Sequence, residues 1–196
     1  MSTIHDISLT LAGVQRCGCE AAGLRRTIGA VPFAAMATDS AIRHAARALI
    51  VDAGQRVLLF RGELPDRDPW WYAPGGGLDE GETYDAALAR EVFEETGLAI
   101  DVATLGAAVW TRDYLFTWQG TLERHLEMFF LIRIDNHEVD TTRFEPAESA
   151  VIRTYRWWRL DEILPSAERF SPVQLGEYLV PLLQGRMPEE PVAVGE

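Results

Sequence analysis

Long hydrophobic runs are what this chain most clearly lacks. No apolar stretch approaches the ~20 residues that a membrane-spanning helix requires, so a membrane partner is not expected. Cysteine is nearly missing as well: Cys17 and Cys19 are the only two, with one glycine between them. That spacing is poor geometry for a disulfide, and no second Cys or His pair completes a zinc site, so both read as free thiols. Positive charge is in deficit, with 18 basic side chains against 30 acidic ones and a formal net charge of −12. Such a surplus argues against non-specific binding to DNA, RNA or anionic membranes. It also disfavours highly anionic small ligands, unless a local arginine cluster or a bound metal reverses the field. Internal repeats and an appended basic helix-turn-helix domain are missing too. Arg25-Arg26 before TIGAVPFAAMA has the order of an export signal, but its apolar part is short and interrupted by Pro32. The expected location is therefore cytoplasmic.

What remains is an ordinary globular composition, 47% hydrophobic and 24% charged over 196 residues, enough to bury a substantial core. Residues 1–40 form an extension of uncertain structure, 41–186 the domain, and 187–196 a C-terminal tail. Within the domain, Ala45–Asp52 and Arg56–Arg61 are apolar runs joined by Ala53-Gly54-Gln55 and predict a hairpin. Gly62–Pro69 reads as a polar loop, after which Trp70-Trp71-Tyr72-Ala73-Pro74 leads into three glycines. Ile100–Arg112 predicts a strand, and Tyr114–Trp118 with Leu122–Ile134 a second hairpin. Val151–Leu160 predicts another strand, Asp161–Leu164 a short helix, and Pro172–Gln184 a final helix that Pro181 kinks or ends early. This order is not a doubly wound series. It suits the α/β class, a mixed sheet with helices on both faces.

The most informative stretch runs from Gly75 to Leu98. A glycine loop, Gly75-Gly76-Gly77, precedes a helix, TYDAALAREVFEET, that stops at Gly97. At about 100° per residue, Glu91, Glu94 and Glu95 fall near 0°, 300° and 40°, on one face. Ala86, Ala89, Val92, Phe93 and Thr96 are expected on the opposite, core-facing side. Glu91 and Glu95 are like charges at i,i+4, which weakens an isolated helix by a few tenths of a kcal/mol. Arg90 can offset one charge. For the rest a hard divalent cation is the natural compensation, and all-oxygen donors suit Mg²⁺ or Mn²⁺.

Gly76, Glu82, Arg90, Glu91, Val92, Glu94, Glu95, Gly97 and Leu98 have the identities and spacing of a complete Nudix box, and on them the chain resembles the Nudix hydrolases. The resemblance implies an α/β/α sandwich with the box as loop-helix-loop. It also implies hydrolysis of a nucleoside diphosphate linked to another moiety, by water attack at phosphorus. Carried over residue by residue, Glu91 and Glu95 are the expected metal ligands, with the Gly75 carbonyl assisting and Glu94 a further ligand or the base. Arg90 is expected to orient the glutamates, and Glu82 to brace the loop. The base is the least defined element: Glu123, Glu127, Glu145 and Glu148 are candidates outside the box, Glu127 being on the polar face of a central strand. Arg61, Arg112 or Arg124 could clamp phosphates by guanidinium geometry. Trp70, Trp71, Trp110, Tyr114, Phe116 and Trp118 include candidates to stack on a nucleobase, with core packing the stronger reading for most. The expected ligand is a small nucleotide diphosphate rather than DNA, and the N-terminal arm and aromatic excess suit a homodimer.

Overall fold

The structure, a computed structural model, describes residues 42–65, 67–118, 121–144 and 151–195. Strand β1 spans Arg43–Val51, β2 Arg56–Leu64, β3 Arg67–Tyr72, β4 Trp110–Trp118, β5 Thr121–Arg133, β6 Ile152–Arg159, β7 Phe170–Ser171 and β8 Val192–Ala193. Helix α1 spans Tyr84–Thr96, α2 Leu160–Ile163 and α3 Leu175–Leu183. The strands form one sheet in the order β7-β3-β2-β1-β5-β4-β8, with β6 also on β2. β1 runs parallel to β5, whereas β2 runs antiparallel to β3 and to β6, and β4 to β5. The sheet is therefore mixed and the fold class α/β.

Both faces of the sheet are covered, which explains why β1 is apolar from Ala45 to Val51 except at Arg47. Leu49 and Val51 join Leu59, Trp110, Phe129 and Trp158 against Leu175, Leu179 and Leu182 of α3. Ala46, Ala48 and Ile50 turn the other way and pack with Phe130 against Ala87, Leu88 and Val92 of α1.

One departure from a simple hairpin builds the site. β1 and β2 pair antiparallel, as their joining residues predict, but their register is confined to Val51↔Val57. Beyond it β2 turns to β3 and β6, and the edge of β1 that it vacates is taken by the glycine loop. Ala48 N–H donates to the Pro74 carbonyl at 2.8 Å, Ala46 N–H to Gly76 at 2.9 Å, and Leu78 N–H to His44 at 3.1 Å. Gly75 has φ +119°, and a Cβ there would stand 2.1 Å from the Ala46 carbonyl oxygen. Only glycine lets the two backbones come this close.

Five expectations need correcting. Residues expected to open β4 are instead loop and a 3₁₀ turn at Val102–Thr104, capped by the Asp101 side chain, and the strand starts at Trp110. Among the described residues, pairing with β5 is first made at Val109, whose N–H donates to the Phe129 carbonyl at 2.7 Å. Conversely, β3 replaces part of the expected loop, because the extended aromatic run finds the β2 edge from Phe60 to Leu64. Helix α1 buries Ala87, Leu88, Glu91, Val92, Glu95 and Thr96, while Ala86 is exposed and Phe93 is 43% exposed. The buried arc is thus rotated toward the glutamates, so the carboxylate face borders the core rather than opposing it. Helix α3 begins at Leu175, after Pro172, and continues through Pro181 for two residues. Farther on, β8 pairs with β4 and Val194 is buried, so residues 192–194 belong to the packed body.

Candidate active site

Helix α1 is delimited by its own caps. Thr83 Oγ accepts from Ala86 N–H at 3.3 Å, and Gly97, at φ 74°, closes the C-terminus with its N–H on the Phe93 carbonyl. Behind the helix start, Arg90 ties the loop to the glutamates. It reaches both Glu82 oxygens at 3.1 and 2.8 Å, Glu91 at 2.9 Å, Glu94 at 3.4 Å and the Gly77 carbonyl at 2.9 Å. Hydrogen bonding from Arg90 holds the Glu82 carboxyl below the usual range, and Glu82 in turn keeps the guanidinium firmly charged. Glu95 Oε2 accepts the Gly75 N–H at 2.6 Å, and a Cβ at Gly76 would lie 2.5 Å from the Glu91 carboxylate. The loop therefore lies directly on the two buried glutamates.

Two cavities open on this junction. The smaller, about 580 Å³, is bounded by His44, Glu82, Arg90 and Glu94; the larger, about 820 Å³, by Arg47, Trp70, Tyr72, Glu95, Arg112 and Tyr114, among others. Arg43, Gly77 and Glu91 border both. The walls of the larger cavity combine flat aromatic surface with cations: Trp70 stacks on Tyr72 at 6.0 Å, and Arg67 lies over Phe116 at 4.4 Å. It can take up a ligand with a planar part and an anionic part.

Beneath this cavity Glu127 is fully buried between two arginines. Arg47 Nε donates to Oε1 at 2.9 Å, Arg112 donates to Oε2 through Nε at 2.9 Å and Nη2 at 2.5 Å, and Tyr114 Oη donates to Oε1 at 3.3 Å. Burial pushes the Glu127 carboxyl up, but the two guanidiniums outweigh it and hold it below the usual carboxylate range. Arg47 Nη1 also donates to the Gly75 carbonyl, and Arg112 Nη1 to Ser171 Oγ at 2.7 Å.

The residues singled out from sequence divide accordingly. Gly75, Glu91, Glu95 and Arg112 border the larger cavity; Arg90, Glu91 and Glu94 the smaller. Glu127 has both oxygens engaged by arginines, which removes it from the position of a solvent-facing base. Arg61 pairs with Glu63 at 2.5 Å and lines neither cavity, and Arg124 is held by Asp113 at 2.5 Å. Trp71 is not a stacking platform: it is 6% exposed, edge-on to Trp158 at 5.0 Å. Glu123 lines the larger cavity beside His125, at 3.1 Å, whereas Glu145 and Glu148 lie outside the described residues. Sequence reasoning missed Arg43 and Arg47. The available signal for Arg47 was a lone charge in the middle of an apolar strand.

Fold and site together define an α/β enzyme built around a glycine loop and a glutamate-bearing helix. The NUDIX domain family matches residues 41–177, and the chain belongs to it: it is a Nudix hydrolase. Among similar proteins, the RNA pyrophosphohydrolase of Wolbachia pipientis subsp. Culex pipiens (strain wPip) is 26% identical over 119 residues, spanning 58% of this chain and 73% of that one. That of Novosphingobium aromaticivorans is 27% identical over 143 residues, 68% of this chain and 80% of its own. A crystal structure of a MutT NUDIX hydrolase from Burkholderia pseudomallei superposes with a TM-score of 0.52 at 25% identity, over 68% of this chain and 94% of that one. The MutT protein of Methanosarcina mazei Go1 shares the fold with a TM-score of 0.54 at 19% identity, over 75% and 96% of the two chains. Relatives of this kind support pyrophosphate hydrolysis as the reaction class.

Proposed function

We propose that this chain hydrolyses a pyrophosphate bond in a nucleoside diphosphate linked to another moiety, with Mg²⁺ as its cofactor. The observation that carries this reading is the placement of Glu91 and Glu95 in the wall of one cavity whose lining also includes aromatic side chains and arginines. Such a cavity suits a base, a chain of phosphates and a metal-binding edge in one ligand.

The donor set fits a hard divalent ion. Glu91 and Glu95 offer carboxylate oxygens one helical turn apart, and Gly76 has no Cβ to crowd Glu91. Among the described residues no group of three or more potential side-chain ligands converges as a formed metal cluster. Glu94 is held toward the smaller cavity by Arg90 at 3.4 Å, so Glu91 and Glu95 with the Gly75 carbonyl are the holding set we favour and Glu94 a group that orients water. When bound, the ion lowers the pKa of water and neutralises charge on the leaving phosphate. The chain itself stacks the base against Trp70 and Tyr72, neutralises phosphate oxygens with Arg43 and Arg47, and fixes the glutamates through Arg90. The alternative, a nucleotide-binding module without catalysis, gives no reason for three glutamates on the box helix.

The test is product release from a panel of nucleoside diphosphate derivatives and 5′-triphosphorylated RNA, the last because similar proteins bear the name RNA pyrophosphohydrolase. Hydrolysis of at least one substrate is expected with Mg²⁺ and none with EDTA. An inert panel under both conditions, with nucleotide still bound, favours the binding module.

A further inference from the structure

The three charges at Glu127, Arg47 and Arg112 are unusual for a strand interior. A carboxylate and two guanidiniums on β1, β4 and β5 cost desolvation that well-packed apolar side chains would not. One arginine would neutralise Glu127, so the second needs a reason. Its place in the site supplies one. Arg112 spends Nε and Nη2 on Glu127 and Nη1 on Ser171, and its side chain is 6% exposed. Arg47 spends Nε on Glu127 and Nη1 on the Gly75 carbonyl, while its Nη2 has no hydrogen-bond partner among the described residues. Arg47 is 19% exposed, borders the larger cavity, and has the Tyr72 ring 5.6 Å away. The chain contains no lysine at all, so every such position is filled by a planar donor fork.

We infer that Glu127 is a positioning residue: braced by Arg112, it aims Arg47 so that the remaining edge of that guanidinium grips the diphosphate of the substrate beside the glycine loop. The inference rests on the proposed hydrolysis for the identity of the ligand, but not for its test. A guanidinium anchored at two of its nitrogens has little rotational freedom left to lose on binding. Charge and direction are therefore supplied before the substrate arrives, in a molecule whose net charge of −12 otherwise repels phosphate.

The test is equilibrium binding of inorganic pyrophosphate to the full chain in EDTA, followed by calorimetry, with folding checked by circular dichroism. Glu127→Gln keeps the shape and removes the charge; Glu127→Asp keeps the charge and shortens the arm. Positioning by charge predicts affinity in the order wild type, Asp, Gln, with Gln weaker by about 10-fold or more, as expected for loss of one well-aimed charged hydrogen bond. Arg47→Lys should weaken binding similarly, and Arg124→Gln on the exposed hairpin should leave it unchanged. A packing role predicts the reverse order, Gln matching wild type and Asp worst, and that result overturns the inference. So does a wild type that does not bind pyrophosphate. Should Glu127→Gln fail to fold, Arg112→Lys, which retains the charge pair but loses the double brace, takes its place: about threefold or more weakening supports the inference, and unchanged binding overturns it. Because no turnover is measured, a chain that follows the predicted order yet hydrolyses nothing would refute the proposed reaction and leave this role standing.

Discussion

At Gly75 the backbone is left-handed, at φ +119°, and the Ala46 carbonyl oxygen occupies the space a side chain would need, 2.1 Å from the ideal Cβ. Gly75→Ala should therefore destabilise the fold by about 2–4 kcal/mol, from backbone strain and the forced separation of loop and strand. Thermal denaturation checks this, with each kcal/mol lowering Tm by roughly 2–4 °C in a chain of this size. Glu127 makes a pH prediction. Its folded carboxyl titrates below the usual range, so the unfolded chain binds the proton more tightly. Its contribution to stability is present above the unfolded value of about 4.3 and disappears as pH falls through the lower folded value. Denaturant melts between neutral pH and the acid limb should show wild type losing stability there and Glu127→Gln, weaker at neutral pH, losing less. An equal acid loss in both would sink the assignment.

Helix α1 is the element whose existence and ends were most legible in the sequence. Gly97 ends it in the left-handed conformation as expected, and Thr83, which reads from the sequence as the first helical residue, instead caps the helix from just outside it. Removing the first cap with Thr83→Ala should cost about 1 kcal/mol in urea unfolding. Its rotation was not legible. The signature fixes which side carries Glu91 and Glu95, but not that the sheet packs against that same side, because Ala86, Ala89 and Phe93 offered a second apolar stripe. Strand β3 and the loop before Trp110 were misread for a related reason. Residues 99–108 belong to no strand of the described sheet, whereas Trp70–Tyr72 follow a proline and pair with the β2 edge. Pairing partners distant in sequence decide such segments, and a single sequence does not contain them. The same limit hid Arg47: it lies 80 residues before Glu127 and gains its meaning only when β1 pairs with β5.

For the molecule as a whole, the problem is electrostatic. A chain of net charge −12 is to admit an anion, and the described cavity answers with arginines in its lining and with carboxylates that a divalent ion can neutralise. If the carboxylates serve that ion, Glu95→Gln and Glu94→Gln should each lower turnover by orders of magnitude while leaving the melting temperature within a few degrees. Survival of activity in both would disprove the assignment of these glutamates. The most direct single measurement is the rate of pyrophosphate-bond hydrolysis by wild type and Glu95→Gln on the best nucleotide substrate, titrated with Mg²⁺ from an EDTA-treated start. The account predicts no turnover without the ion, saturable activation of the wild type, and a loss of about 100-fold or more in the variant, the size expected when a group that stabilises transition-state charge is removed. Turnover in EDTA, or an unimpaired Glu95→Gln enzyme, would contradict it.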